Sequence, residues 1–184
     1  MQDNQRQTHT DWAYIAGIMD SDGCFMITRH KRKTQRKNYP HMVEGWSWTY
    51  MPSVKVAMIN HEAIEFIVEK TQAGTCNLYG ARPSRPNSHP MYEWGIRNRK
   101  QIVPFIENIM PYLKVKKQRA QFLLDYCKKA QYLETNAAKY YGLSKEELEY
   151  RESSYQQMKE LNRIKVAATT KFPGPVRACD SLIS

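Results

Sequence analysis

Ile15-Ala16-Gly17-Ile18-Met19-Asp20-Ser21-Asp22-Gly23 is the stretch on which the reading of this chain turns. With Trp12 just upstream, the apolar residues Trp12, Ile15, Ile18 and Met19 recur at three- and four-residue intervals, which predicts a helix. Thr10 or Asp11 would cap its start, and Gly23 would end it in a left-handed conformation. A second stripe, Ala13, Gly17 and Ser21, carries almost no side chain and leaves backbone open to close approach by another helix. The helix ends on two acids, Asp20 and Asp22, at the pole where the macrodipole disfavours negative charge. They are therefore solvated turn residues or ligands for a cation. An EF-hand loop fails on spacing: with Gly23 as its turn glycine, the position that needs a bidentate Glu is Arg29.

Beyond Gly23 the period changes to two. Phe25 and Ile27 alternate with Met26 and Thr28, and the stretch turns basic through Arg29, Lys31, Arg32, Lys33, Arg36 and Lys37. A matching strand over 46–51 and 54–58 predicts a long antiparallel hairpin with its turn near Asn38-Tyr39-Pro40. Asn60 reads as a cap for a helix carrying Ala63, Ile64, Phe66, Ile67 and Val68, which stops before Gly74. Residues 76–79 and the alternating Tyr92, Trp94 and Ile96 predict a second hairpin around a Pro/Ser/Asn/Arg loop at 82–90. Ile102, Val103, Phe105, Ile106 and Ile109 form another amphipathic pattern, and Pro111 separates it from a helix over 114–130. Ser144 and Glu147 make a capping box that opens a charged helix to about 164, and a closing segment with Pro173 and Pro175 reads as irregular. The expected class is α+β, an α-ββ-α-ββ-α core with an antiparallel sheet and extra C-terminal helices. Its expected divisions are a polar N-terminal tail at 1–10, a core over 11–133, and a C-terminal helical extension and tail over 134–184.

Across 184 residues, 28 Lys+Arg face 18 Asp+Glu, a formal net charge of +10 and a pI near 9.4. That excess suits a polyanionic partner, nucleic acid first and an anionic membrane surface second. A hydrophobic content of 41% is enough for a core. A mean hydropathy of -0.71, with no apolar run of spanning length, excludes an integral membrane protein. Cys24, Cys76, Cys127 and Cys179 are scattered, without a C-x-x-C pair or a His at zinc-ligand spacing, and read as reduced structural thiols. The first ten residues have neither secretory nor transit composition. The chain is expected to be intracellular, in a prokaryotic cytoplasm or in an organelle.

Taken whole, 15–23 resembles the signature of the LAGLIDADG homing endonucleases, with Ser21 in place of a small Ala or Gly. Pro111-Tyr-Leu-Lys-Val-Lys-Lys-Gln-Arg-Ala120 is similar to the family's second block, and the element order fits, so the resemblance covers roughly 12–133. It implies an intron-encoded, sequence-specific endonuclease that makes a double-strand break in a long pseudo-palindromic DNA target by divalent-metal-dependent phosphodiester hydrolysis. In the family two motif helices pack side by side, which implies an interface at Ala13, Ala16, Gly17 and Asp20. One copy of the motif is present here, so a homodimer is implied. Asp22 is implied as the metal ligand, with the Ser21 backbone carbonyl assisting and Asp20 as a further candidate; the ion would be Mg²⁺, with Mn²⁺ as a substitute. Lys116 matches the second lysine of the family's Lys-x-Lys block and is implied as a second catalytic residue. The chain departs from the pattern at Met58, where some relatives place a Gln; Met cannot position water, and Asn60 is the nearest polar stand-in.

The basic hairpin is where such a protein would read sequence. With Phe25 and Ile27 inward, Thr28, His30, Arg32, Thr34 and Arg36 point outward. With Val54 and Val56 inward, Thr49, Met51, Ser53 and Lys55 join them, and the second hairpin adds Asn77, Tyr79, Arg82, Arg85, Glu93 and Arg97. A two-stranded ribbon fits the major groove, where Arg reads guanine and Asn reads adenine. Arg29, Lys31, Lys33 and Lys37 would hold phosphates, and Lys114 would add a further DNA contact. Two other functions share this fold, an RNA-binding intron maturase and a cleavage-inactive DNA-binding protein. Intact Asp20 and Asp22 favour the enzyme, whereas Met58 favours the inactive regulator.

Overall fold

The computed structural model describes residues 2–34, 45–80, 89–133 and 144–163, with side chains placed over 9–31, 48–80, 89–129 and 144–163. The motif helix α1 (Gln2–Ser21) runs directly into β1 (Gly23–Thr34), which pairs antiparallel with β2 (Gly45–Met58) from Gly23↔Val56 out to Thr34↔Gly45. Helix α2 (His61–Thr71) leads to β3 (Thr75–Tyr79) and β4 (Met91–Ile96), and α3 (Arg99–Ile109), α4 (Lys117–Leu133) and α5 (Lys145–Asn162) follow. The sheet order is β1-β2-β4-β3, and every pairing is antiparallel. This is the expected α-ββ-α-ββ-α order followed by a further helix. The first hairpin is much longer than the second. Strand β4 pairs with β2 only over Val54–Met58, so residues 45–53 have β1 on one side and, among the described residues, no strand on the other. Pro52 sits in that outer half, the part of β2 with one side free of pairing among the described residues, where a strand proline is tolerated.

One face of the sheet is covered by helices. Phe25, Val54, Val56, Trp94 and Ile96 from the strands meet Ile15 and Met19 of α1, Ile64 and Ile67 of α2, Ile102, Ile106 and Ile109 of α3, and Leu123 of α4. The period-two and period-3.6 patterns converge on this core because each element buries one face and leaves the other wet. Trp94 is fully buried; its indole N–H donates to Ala73 O at 2.9 Å, and its ring lies 5.2 Å from Phe105.

Three sequence expectations change. Residues 2–10 are not a tail: the helix starts at Gln2, and the His9 ring hydrogen-bonds the Tyr112 hydroxyl. Gly23 is not left-handed, since the positive φ angles among the described residues belong to Gln72 and Gly74. What it needs is space: a Cβ there would lie 2.6 Å from both Met19 Cα and Met19 O, so the strand can leave the helix this closely only without a side chain. The third change is α5, which is part of the core and not an appendage. Met158 is 1% exposed within it, Asn162 Nδ2 donates to Phe25 O on the edge strand β1, and Ser144 caps the helix by accepting from Glu147 N.

Candidate active site and nucleic-acid face

Helix α1 ends against the turn that precedes α4, and the two are tied in both directions. The Asp20 carboxylate accepts from the amides of Lys114 (2.7 Å), Val115 (3.2 Å) and Lys116 (2.8 Å). In return, Lys116 Nζ donates to Met19 O (3.1 Å), Ser21 O (2.9 Å) and Gly23 O (2.7 Å). Burial pushes the Asp20 carboxyl up, but the three amides and the Lys116 charge outweigh it and hold the group below the ordinary 3.8. Burial and the nearby Arg119 push Lys116 down from the usual lysine value. Its three carbonyl acceptors nonetheless match the three N–H groups of an ammonium, not the two of an amine. A cation at a helix C-terminus also satisfies carbonyls the helix leaves open.

This reciprocal clamp shows what three of the expected site residues do within one chain. Both oxygens of Asp20 accept from amides, so Asp20 builds the helix end. The Ser21 carbonyl accepts from Lys116. Lys116 Nζ gives its donors to three carbonyls, so in the single chain it holds the end of the motif. The exposed Lys114 contributes its amide to the same clamp.

Asp22 is left with an exposed carboxylate, one oxygen of which lies 2.9 Å from Ser21 Oγ. It stands at the end of a bare ridge. Ala13, Gly17 and Ser21 are all exposed, and a Cβ placed on Gly17 would meet nothing within 4 Å. Ala16 does not belong to that ridge, being 0% exposed and packed inside its own chain. Asn60 Oδ1 accepts from Ala63 N, so its carbonyl caps α2. Met58 is half-buried and packs against the core.

The open face of the sheet follows from the register. Pairing places Met26 beside Ser53, Thr28 beside Met51 and His30 beside Thr49, and aligns Asn77 with Glu93. His30 is exposed and hydrogen-bonds Thr28 Oγ1 at 3.1 Å. Lys55 Nζ reaches Glu93 Oε1 at 2.9 Å, and Tyr79 OH lies 3.5 Å from the same oxygen, so these three form one polar group across β2, β4 and β3. Arg97 is exposed just past β4. Ser53 departs from the set: although its parity is right, it is 2% exposed and out of reach of a partner laid on the sheet. Arg32 and Thr34 lie on β1 beyond the described side chains, and Arg36, Arg82 and Arg85 lie outside the described residues.

Arg29 was expected at phosphates but is committed within the fold. Its guanidinium donates to both Glu152 oxygens (2.9 and 3.1 Å) and lies 4.4 Å from the Trp48 ring and 4.9 Å from that of Tyr155. Glu152 also accepts from Tyr50 OH, and burial together with that bond pushes the Tyr50 hydroxyl up to about 12. The signal was present in the sequence: Arg29 shares its parity with Phe25 and Ile27, the side that faces helices.

No family model and no curated protein sequence matches this chain. Solved structures do. The homing endonuclease I-CvuI, in complex with the I-CreI target, superposes with a TM-score of 0.59 at 18% identity over 88% of each chain. The archaeal intron-encoded homing endonuclease I-Vdi141I, complexed with DNA, gives 0.58 at 15% identity over 88% of this chain and 87% of its own. The LAGLIDADG homing endonuclease I-GzeII, in complex with its DNA target, gives 0.53 at 19% identity over 80% of this chain but only 43% of its own. With its motif helix, four-stranded antiparallel sheet and second block all in place, the chain has the LAGLIDADG homing endonuclease fold, built around a single copy of the motif.

Proposed function

We propose that the protein is a sequence-specific DNA endonuclease that acts as a homodimer and cuts both strands of a long pseudo-palindromic duplex by divalent-metal-dependent hydrolysis. The observation that carries this reading is the exposed Asp22 carboxylate at the end of the bare Ala13–Gly17–Ser21 ridge. Packing that ridge against its copy would bring two Asp22 side chains together under a duplex lying on the open strand face. Among the described residues of one chain no three His, Cys, Asp or Glu side chains gather to hold an ion. One exposed carboxylate per chain nevertheless fits a hard cation whose other positions go to phosphate oxygens and water. A bound Mg²⁺, or Mn²⁺ in its place, would polarise the phosphodiester and lower the pKa of an attacking water. The remaining chemistry belongs to the chain: the Asp20–Lys116 clamp fixes the peptide that carries Asp22, and the strand face orients the duplex.

Asp22→Asn removes the ligand charge and keeps the shape. It is expected to abolish cleavage in Mg²⁺ while leaving duplex affinity near normal in a gel-shift titration; a variant that still cuts contradicts the assignment. We draw Ala13 and Gly17 into the dimer contact and leave Ala16 out. A cleavage-inactive DNA-binding protein is the second reading, favoured by Met58, which offers no hydrogen bond at the edge of the site.

A further inference from the structure

The strongest unassigned feature lies where β4 stops and α3 begins. A cavity of about 410 Å³ opens there beside the unpaired edge of β2 at Thr49, Tyr50 and Met51. Its wall carries four cations, Arg97, Arg99, Lys100 and Arg151, and among the described residues no carboxylate. Arg151 comes from α5 and is 6% exposed, and its Nε has no hydrogen-bond partner among the described residues. Its other end is satisfied: Nη2 donates to the buried Glu147 one turn earlier, the single acid facing it from its own helix. The guanidinium therefore brings a buried, incompletely paired charge to the wall, which favours an anion in the cavity.

The helix start adds to this field. Helix α3 is eleven residues long and points its positive end at the cavity. Its amides at Lys100, Gln101 and Ile102 are already bonded to Asn98, so the helix supplies its dipole and the side chains supply the donors. Arg97 and Lys100 are exposed at the rim, and Met51, also on the wall, belongs to the same open strand face as Thr28 and Thr49.

We propose that this cavity seats one backbone phosphate of the bound duplex, outside the strand residues that read bases, and so fixes the register of the duplex on the sheet. The proposal rests on the DNA-binding reading above. Such a contact carries no sequence information; it adds to the salt dependence of binding and sets orientation.

The test is the affinity of the full chain for a duplex of arbitrary sequence, measured by fluorescence anisotropy across a salt series without divalent metal. Arg97→Gln with Lys100→Gln changes two exposed residues. The slope of log affinity against log salt is expected to fall by about 0.9 for each chain bound, with equal weakening on unrelated sequences. Lys128→Gln with Lys145→Gln, on the exposed sides of α4 and α5, removes the same charge elsewhere and is expected to leave the slope unchanged. A wild-type chain that binds with a slope the first pair does not alter, or alters no more than the control pair, overturns the inference alone. A wild-type chain that binds no duplex even at low salt overturns the DNA-binding reading and this inference with it. Inorganic phosphate is the second probe. If it raises the thermal midpoint of wild type but not of the Arg97/Lys100 variant, while duplex binding is the same for both, the cavity holds a free anion and the assignment to DNA is wrong.

Discussion

At the scale of single residues, the acids of the motif divide into two jobs that adjacent positions would not suggest. Asp20 is turned inward onto three amides, and Asp22 is exposed, with the Ser21 hydroxyl donating to its carboxylate. Asp20→Ala strips the amides of Lys114, Val115 and Lys116 and is expected to cost about 2 kcal/mol in urea unfolding. Because folding lowers the pKa of Asp20, its contribution is present above the ordinary carboxylate range and is lost as pH falls through the folded value. The clamp also predicts coupling. In a double-mutant cycle, Asp20→Asn and Lys116→Met are expected to be non-additive by about 1 kcal/mol or more, whereas two independent contacts would simply add. Gly23→Ala forces a methyl onto the Met19 backbone and is expected to lose about 2 kcal/mol by the same measurement.

At the scale of elements, the first hairpin outruns the rest of the sheet, and α5 is what supports its base. Glu152 joins Arg29 and Tyr50 across the two strands while sitting on the helix. Hydrogen bonds from Tyr50, Gln156 and Arg29 hold the Glu152 carboxyl below its ordinary 4.5, so its support is complete above that range and fades on acidification. Glu152→Gln is expected to lower the thermal midpoint by about 2–4 °C and to flatten the acid limb of the stability curve; an unchanged acid limb would leave Glu152 without this part. The hairpins, the helix caps at Asn60 and Ser144 and the inward parity of Phe25, Ile27, Val54 and Val56 were legible because period and cap chemistry are local. Three features were not. Burial of Ser53 depends on which neighbours crowd it across the strands, the fate of Arg29 depends on a helix 123 residues away, and the Lys116 contacts join two blocks 95 residues apart. Such contacts are made by the fold and leave no periodic trace. Gly23 shows the same limit: the sequence suggests a left-handed helix end there, but the glycine is required by crowding against Met19 and not by a left-handed φ.

At the scale of the molecule, a chain of net charge +10 uses Asp20, Glu147 and Glu152 inside the fold and leaves Asp22 as the carboxylate at the head of the ridge. One chain offers one such carboxylate, so activity is expected to follow the dimer. Gly17→Glu, on open surface within one chain, is expected to leave the monomer folded, shift sedimentation toward it and remove double-strand cleavage; retained dimer and retained cleavage would place the interface elsewhere. The claim at the centre is that paired Asp22 side chains make the bound duplex a substrate. The most direct test is to incubate wild type and Asp22→Asn with a randomised duplex library, with and without Mg²⁺, and to sequence the broken ends. Wild type with Mg²⁺ is predicted to yield double-strand breaks within one pseudo-palindromic sequence, with none from the other three reactions. Breaks that Asp22→Asn makes equally well, or no breaks from wild type in either Mg²⁺ or Mn²⁺, would contradict it.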